Sequence, residues 1–300
     1  MKKKAAYKFA IIGLGMVGTA IGHLLKKSGH EIVAISDKSA AALKTALPYT
    51  GGKPFRDPKK AAMDADCILI TTPDDNIRSA CVEIADSHLL KEKFVFHMSG
   101  AGSLDLLDSA KEAGAFIASI HPVQSFSSID TAINSIPGSI FGITADKKAR
   151  KLSEIIVRDL SGIPIFINPA QKTLYHAAAC IASNYLVSLL TIVESTYESI
   201  GISKTNARKA YLPLIYGTLK NVEKSGLISA LTGPIARGDA GTVKKHIEAM
   251  EKTQPQYSTL YALLGLIAVD IAQQKGTLSS RQAKNINDLL KGVHEDEYSK

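Results

Sequence analysis

The chain has 300 residues, of which 45% are hydrophobic and 21% are charged. This is the composition of a globular protein, and it excludes a disordered, collagen-like or coiled-coil chain. At about 150 residues per domain, the length predicts two domains. The net charge is +8, and three of the lysines open the chain at positions 2–4. The remaining excess is spread along the sequence, so it favours small anionic ligands over nucleic acid.

The sequence predicts neither a membrane anchor nor a disulfide framework. A signal peptide is not predicted, because Lys8 interrupts the apolar run that follows the basic N-terminal residues and no small-residue cleavage site follows that run. The longest other apolar run, 177–193, contains Ser183, Asn184 and Ser188 and is short for a bilayer span. The three cysteines lie in apolar stretches without C-x-x-C spacing, which predicts no zinc site. We therefore expect a cytoplasmic protein without membrane or nucleic-acid partners.

The first half of the chain alternates short apolar runs with helical stretches. The runs are residues 9–12, 31–36, 67–71, 94–98, 116–120, 139–144 and 164–167. Most of them are apolar throughout instead of alternating, which is typical of strands in a sheet covered on both faces. Helical connections between such strands predict an α/β Rossmann domain with a doubly wound, mainly parallel sheet over residues 1–168.

After Asn168 the pattern changes to long stretches with helical periodicity. The first of them, residues 170–200, carries apolar side chains around most of its circumference and ends before Gly201. A helix of this kind is expected to be covered by other helices or by a second subunit. The sequence therefore predicts an all-α domain over residues 169–300.

A glycine-rich turn, GLGMVG, follows the first predicted strand and opens a helix. Gly13 allows the tight turn, Gly15 lets a diphosphate approach the backbone, and Gly18 permits close packing of helix on strand. The amides at the helix start, at Met16 and Val17, then face the anion. The motif predicts a dinucleotide-binding site.

The end of the second predicted strand normally decides between NAD and NADP. Asp37 favours an unphosphorylated ribose, because a carboxylate there accepts from the 2′-hydroxyl and repels a 2′-phosphate. Ser36, Lys38 and Ser39 instead offer hydrogen bonds and charge to a 2′-phosphate. These residues alone leave both cofactors open.

Two further segments are expected to border the cofactor, because ligands bind at the carboxyl ends of parallel strands. Thr72, Pro73 and Asp74 follow one apolar run, and Ser99 and Gly100 follow the next. Asp74 has an alternative role as the N-cap of a helix, and Ser99 has one as a turn former.

Six segments carry a resemblance to a known group of enzymes. They are GLGMVG (13–18), TPDD (72–75), HMSGA (97–101), SIHPVQSF (119–126), YHAAACIASNYL (175–186) and LTGPIARGD (231–239). The chain resembles reductases related to ketopantoate reductase, pyrroline-5-carboxylate reductase and the 6-phosphogluconate dehydrogenase group. It is most similar to the branch that joins a Rossmann-like domain to a helical domain of unknown function.

This resemblance implies a nicotinamide-dependent reductase, with NADP expected over NAD. It also implies a 6-phosphogluconate dehydrogenase-like C-terminal domain that closes the active site and forms a homodimer through its helices. Related enzymes often carry a lysine, with an asparagine four residues later, on the long helix after the nucleotide domain. This sequence has His176 and Cys180 there, so we expect the proton donor among other residues.

Polar residues on the long predicted helix are the first candidates for catalysis. On a continuous helix His176, Ser183 and Asn184 lie on one strip, and buried polar groups need partners. His176 is a candidate general acid, because imidazole can deliver a proton near neutral pH. Ser183 and Asn184 are candidate donors to a substrate oxygen. Hydrogen bonding between helices is the alternative role for each.

Three residues elsewhere are candidates for substrate binding. His121 precedes a proline at a predicted strand end, which fixes its backbone, and it is a candidate for catalysis or substrate contact. Gln124 shares that loop. Arg237 is suited to a bidentate contact with a substrate carboxylate, and an ion pair with Asp239 is the alternative. The histidines lack carboxylates at metal-ligand spacing, so we expect no metal.

Together these features predict an NAD(P)H-dependent oxidoreductase. Its expected substrate is a small anionic molecule, a carboxylated 2-keto or imine compound, with ketopantoate-like compounds first. The alternative is a dinucleotide-binding sensor without turnover, which the missing lysine favours.

Overall fold

The computed structural model describes residues 6–295. The chain forms two compact units, one up to Asn184 and one from Tyr185 onward. The first is α/β and the second is helical, as the sequence predicts. The predicted boundary at residue 168 marks the change from strands to helices, but the first compact unit continues beyond it, because the next helix packs on the sheet edge through Lys172.

A single sheet of eight strands forms the centre of the first unit. The strands are β1 (Lys8–Ile12), β2 (Glu31–Ser36), β3 (Lys53–Phe55), β4 (Cys67–Ile70), β5 (Phe94–His97), β6 (Phe116–Pro122), β7 (Ile140–Ala145) and β8 (Ile163–Phe166). Their order is β3-β2-β1-β4-β5-β6-β7-β8, and neighbours are parallel except for β6 and β7. This confirms the mainly parallel sheet. Strand β3 was not predicted, because its short sequence KPF is not an apolar run.

Helices connect most of the strands and cover both faces of the sheet. They are α1 (Met16–Lys27), α2 (Ala40–Thr50), α3 (Pro58–Ala62), α4 (Asp74–Ile84), α5 (Ser87–Leu90), α6 (Asp108–Glu112), α7 (Ile129–Ser135), α8 (Arg150–Asp159) and α9 (Lys172–Ala182). Phe9 and Ile11 of β1 belong to one buried cluster, and Ala10 and Ile12 belong to another. Both faces of the strand are therefore buried, which explains its continuous apolar sequence.

The strand register places the carboxyl ends of β1, β4 and β5 side by side and next to Ser119, three residues before the end of β6. Ile12 of β1 pairs with Ile70 of β4, Ile70 with His97 of β5, and His97 with Ser119 of β6. The loops that follow these strands therefore meet at one edge of the sheet, where ligands bind in open α/β sheets.

The long helix predicted over residues 170–200 is interrupted. A 3₁₀ turn (Pro169–Gln171) precedes α9, and α10 (Asn184–Ser199) begins after Ser183, whose backbone angles are φ −117° and ψ −67°. By length and composition alone, Pro169–Ser199 could cross a membrane, and its most apolar window is unburied. The sequence predicts that other helices or a second subunit bury this helix. The residues that the structure describes do not bury its most apolar part.

The second unit contains α11 (Lys204–Ala230), α12 (Ala240–Thr253), α13 (Ser258–Gln274) and α14 (Ser280–Glu295) in addition to α10. Helix α11 is kinked at Gly226, which has a φ of 76°. Buried aliphatic residues on the last three helices form the core of the unit, among them Val243, Val269 and Leu290.

Candidate active site

The glycine loop between β1 and α1 packs closely on the end of β4. Gly13 has a φ of 94°, and a Cβ atom there would lie 2.6 Å from the amide nitrogen of Thr72. A Cβ atom at Gly18 would collide with the Gly13 carbonyl and the Thr71 side chain. Both positions therefore require glycine, one for its backbone conformation and both for space.

An open cradle lies at the second glycine of the motif, Gly15. No atom lies within 4 Å of the position that a Cβ atom would occupy there. Gly15 is the N-cap of α1 and supplies no side-chain cap, and the first turn contains no acidic residue. The helix start therefore presents backbone N–H groups and positive dipole to an anion.

The cradle is part of a cavity of about 510 Å³. Residues predicted to bind the cofactor form much of its lining, namely Gly13, Gly15, Met16, Val17, Ser36, Asp37, Lys38, Thr72 and Pro73. The hydroxyl oxygen of Thr72 is buried and has no hydrogen-bond partner, which is true of no other side chain in residues 6–293. Burying a hydroxyl without a hydrogen-bond partner costs free energy, unless a bound ligand supplies that partner. A dinucleotide diphosphate fits these features.

The carboxylate of Asp37 is engaged by the protein backbone. One oxygen accepts from the amide of Leu14 at 2.8 Å, and the other accepts from the amide of Ser39 at 2.8 Å. Asp37 therefore supports the glycine loop. Two cations line the same cavity: Lys38, whose ammonium lies 2.9 Å from Glu83, and Arg56, which donates to the Lys38 carbonyl at 2.6 Å. Arg56 was not predicted, because it follows the unrecognised strand β3.

Ser99 is the centre of a hydrogen-bond network after β5. Its hydroxyl donates to the Asp74 carboxylate at 2.6 Å and accepts from the amide of Gly102 at 2.7 Å. The alternative role of Asp74 as an N-cap was wrong, because α4 begins at Asp74 itself. His97 accepts from the amide of Ser99 through Nδ1, and its Nε2 lies 3.2 Å from the Ser103 carbonyl.

A buried lysine crosses from α9 to this network. Lys172 is 2% exposed, and its ammonium donates to the Ser119 hydroxyl at 2.6 Å and to the Ser99 carbonyl at 3.1 Å. Burial lowers the pKa of Lys172 to about 8, and the negative charge of Asp74 opposes that shift. The expectation that the helix carries no lysine for the site was wrong. The spacing of Lys172 and His176, four residues apart on one helix face, is the signal that was overlooked.

His121 meets α9 at the end of β6. Its Nδ1 lies 3.0 Å from the Tyr175 hydroxyl, and the rings of His121 and His176 are 5.9 Å apart. A Cβ atom on Gly100 would lie 2.7 Å from Nε2 of His121 and would collide with the His176 ring. The strand-end loop and both predicted histidines therefore converge at Gly100, where only glycine leaves room.

Other predicted site residues lie elsewhere. Ser183 and Asn184 are exposed at the break between α9 and α10, because that break ends the continuous helix on which the predicted strip was drawn. Gln124 donates to the Ser139 hydroxyl at 3.4 Å and accepts from the amide of Ser125. Arg237 lies in the second unit and is exposed. Hydrogen bonds from Thr242 lower the pKa of Asp239, and the charge of Arg237 adds a smaller effect.

No group of three or more metal-ligating side chains occurs within residues 6–293. The three cysteines are free thiols, and Cys67 and Cys81 are buried. The chemistry that the site offers is thus that of a lysine cation, imidazoles, hydroxyls and backbone amides.

Two family profiles match the chain. The Rossmann-like domain profile matches residues 2–122, and the profile described as "Domain of unknown function (DUF2520)" matches residues 139–267. The chain thus contains a Rossmann-like domain followed by a DUF2520 domain. The DUF2520 match begins at β7, so the profile includes α9, which carries Lys172, Tyr175 and His176.

Solved structures share this fold. Protein TM1727 from Thermotoga maritima is 24% identical, with a TM-score of 0.72 over 89% of this chain and 99% of that chain. A protein of Bacteroides fragilis, provisionally described as an NADP oxidoreductase, is 18% identical, with a TM-score of 0.71 over 88% and 98%. Pyrroline carboxylate reductase from Plasmodium falciparum, crystallised with NADP bound, is 17% identical, with a TM-score of 0.57 over 90% and 97%. Comparison with curated protein sequences finds no match.

Proposed function

We propose that this Rossmann–DUF2520 protein is an NAD(P)H-dependent oxidoreductase that reduces the carbonyl or imine carbon of a small carboxylated substrate. One observation carries the proposal: a diphosphate cradle and a cluster of buried polar groups lie at the same edge of one sheet. From the end of β1 to the end of β6 the distance is about 14 Å, at about 4.8 Å per strand. An extended dinucleotide bound at Gly15 can span that distance along the crevice.

The cofactor supplies a hydride from its nicotinamide ring when bound. The residues of the chain would bind and orient it: the amides of Met16 and Val17 and the hydroxyl of Thr72 would hold the diphosphate region. His121 and His176 would face the reacting carbon beside Gly100. Among them, His176 remains the proposed proton donor.

Lys172 would contribute positive charge close to the reacting group. A buried ammonium stabilises negative charge that develops on a substrate oxygen or nitrogen during reduction. It also favours an anionic substrate such as a carboxylated 2-keto or cyclic imine compound. The sensor alternative was based on a missing lysine, and Lys172 removes that argument for it.

We propose NADP as the preferred cofactor. The carboxylate of Asp37 accepts from the amides of Leu14 and Ser39, so part of its hydrogen-bonding capacity supports the loop backbone instead of a ribose. Lys38 and Arg56 place two positive charges in the same cavity. An arginine is well suited to a phosphate, because its planar donors can form paired hydrogen bonds.

Replacing Arg56 with alanine is expected to weaken the binding of NADPH and leave the binding of NADH nearly unchanged. The Kd for NADPH should rise by about tenfold or more, as expected for losing a hydrogen bond to a charged group, while the Kd for NADH changes little. Calorimetric titration of both cofactors measures this. Lys60→Ala, which removes an exposed cation of α3, is the matched control. Equal weakening of NADH and NADPH would contradict the assignment.

The function itself is tested by following oxidation of the reduced cofactors. Purified protein is incubated with NADPH or NADH and a panel of 2-keto acids and cyclic imino acids, and nicotinamide absorbance is recorded. We expect turnover with at least one carboxylated compound, and none with its methyl ester. Cofactor binding without any turnover would favour the sensor, and absence of binding would overturn both functions.

We further propose a cytoplasmic homodimer formed through the helical domain. The second unit exposes apolar side chains on α13, among them Leu263, Leu264 and Ile267 at 44%, 44% and 57%. Leu264 also lines an apolar cavity of about 390 Å³ between α10, α12 and α13. Exposed apolar patches of this kind mark interaction surfaces. We prefer a second copy of the chain to a lipid bilayer as the partner of these apolar side chains. Lys172, near the start of the apolar segment Pro169–Ser199, is hydrogen-bonded to the sheet of the first unit, so that segment is not free to enter a bilayer.

Introducing a charge on this face should disrupt the dimer. Leu264→Glu is expected to give a monomer at micromolar concentration, because a buried unpaired carboxylate costs several kcal/mol. Light scattering coupled to size-exclusion chromatography measures the mass. Gln274→Glu adds the same charge at an exposed site near the end of α13 and should leave the mass unchanged. A monomeric parent protein would contradict the proposed homodimer.

A further inference from the structure

The hydroxyl of Tyr175 lies between His121 and the neighbouring strand β7. Gly142 of β7 pairs with His121 of β6 in the antiparallel ladder. A Cβ atom on Gly142 would collide with that hydroxyl, so glycine is needed for this approach. Burial raises the pKa of Tyr175, so the phenol keeps its proton at neutral pH. Nδ1 of His121 lies 3.0 Å from the hydroxyl oxygen, where it can accept that proton in a hydrogen bond.

This arrangement selects one form of the His121 ring. In a neutral imidazole one nitrogen accepts and the other donates. If Nδ1 accepts from Tyr175, the proton must be on Nε2. That nitrogen is the one nearest Gly100, at the convergence of the strand-end loop and His176.

The groups around His121 also favour its neutral form. Lys172, Tyr175 and His176 approach it from α9, and Asp74 acts on it from the start of α4. Burial comes first among the causes that lower the pKa of His121, to about 4, and the charges of Lys172 and His176 add to it. Asp74 acts in the opposite direction and does not reverse the shift. At neutral pH the ring is therefore uncharged.

We infer that Tyr175 is a positioning residue that holds His121 as a neutral Nε2–H donor directed at the substrate atom being reduced. The inference rests on the proposed function and divides the work between the two histidines. His121 would polarise the carbonyl or imine through a hydrogen bond and keep its proton. His176 would be the group that gives a proton away. A neutral donor of this kind avoids the pH dependence that an imidazolium would impose.

His97 provides an internal reference for the test. Its Nδ1 accepts from the Ser99 amide at 3.1 Å, so its proton is also on Nε2, facing the Ser103 carbonyl. Backbone groups fix that tautomer, and Tyr175 is not among its partners. A change at Tyr175 should therefore alter the tautomer of His121 and leave that of His97 unchanged.

The experiment uses the full chain with ¹⁵N-labelled histidine and long-range proton–nitrogen NMR spectra. The two ring signals are assigned with His121→Gln and His97→Gln. In the parent protein we expect an unprotonated Nδ1 and a protonated Nε2 at His121, constant between about pH 5.5 and 8. In Tyr175→Phe we expect a mixture of both tautomers at His121. Gly142→Ala, which displaces the hydroxyl, should give the same mixture, and Tyr49→Phe, which removes a distant hydroxyl bound to Asp130, should not.

Kinetics then connect the tautomer to the reaction. Once a substrate is found, Tyr175→Phe should lower kcat by about tenfold, as for partial loss of one preorganised donor, with the KM for the cofactor unchanged. A proton on Nδ1 of His121 in the parent protein, or a His121 tautomer unchanged in Tyr175→Phe, would overturn the inference. Because the NMR readout needs no turnover, the inference can fail or hold independently of the proposed enzymatic activity.

Discussion

Replacing Gly15 with valine is expected to abolish cofactor binding while leaving the fold intact. The valine side chain would fill the open cradle where a diphosphate would lie, so the Kd should rise by about 100-fold or more, the loss of several charge-assisted hydrogen bonds. The backbone can accept the change, because Gly15 has φ −72° and ψ −167°, an extended conformation available to any residue. No atom lies within 4 Å of the new Cβ.

Thermal denaturation with and without NADPH measures this effect. A ligand at 100 times its Kd adds about 2.7 kcal/mol of stability, which is a readily measured rise in Tm for the parent protein. The Gly15→Val protein should melt at the parent temperature without cofactor and show no rise with it. Gly292→Val, on the exposed side of α14, adds the same side chain away from the cavity and should keep the full rise. A rise that persists in Gly15→Val would remove the loop from the binding site.

Replacing Lys172 with methionine should nearly abolish turnover. The substitution keeps the length and apolar stem of the side chain and removes the buried charge, so the fold should survive. Loss of one preorganised electrostatic contact lowers kcat by about 100-fold or more. The steady-state rate with saturating cofactor measures the change. Lys111→Met, at an exposed lysine of α6, is the control and should retain the parent rate.

The pH dependence of stability provides a second measurement on the same variant. The pKa of Lys172 is lowered to about 8 from the ordinary value of 10.5, so the unfolded chain binds more protons than the native state between these values. The free energy of unfolding contributed by this group therefore rises with pH from about 8 to about 10.5. Relative to Lys172→Met, the parent protein should gain stability over that range. If the difference in free energy of unfolding between the two proteins stayed constant over that pH range, Lys172 would not be buried as a cation.

The glycine loop and the strand ends could be predicted because their signals are local. Gly13, Gly15 and Gly18 serve a turn and a packing contact within a few residues of one another. The apolar runs reflect burial on both faces of each strand. His121 and His176 could be named as candidates, but their convergence at Gly100 depends on strand order and on the packing of α9, which no local pattern reveals.

Lys172 and Arg56 show why other site residues could not be found. The spacing of Lys172 to His176 placed it on the same helix face, but only its contacts with Ser99 and Ser119, far away in sequence, make it a buried cation. Arg56 follows a strand too short and too polar to be predicted. Asp37 shows the reverse: its type predicts a ribose contact, but its carboxylate accepts from the glycine loop.

The sequence by itself determined the α/β domain, the helical domain after it and the position of the glycine loop, because hydrophobic periodicity and glycine requirements act over short stretches of chain. Only the tertiary structure decided which polar groups meet. The strand register placed His97, at the end of β5, beside Ser119 of β6. The break at Ser183 separated Ser183 and Asn184 from the predicted strip, and α9 brought Lys172, Tyr175 and His176 onto that edge. These juxtapositions depend on packing between segments that are distant in the sequence. The contacts that this packing creates determine the charge and the tautomer of each group.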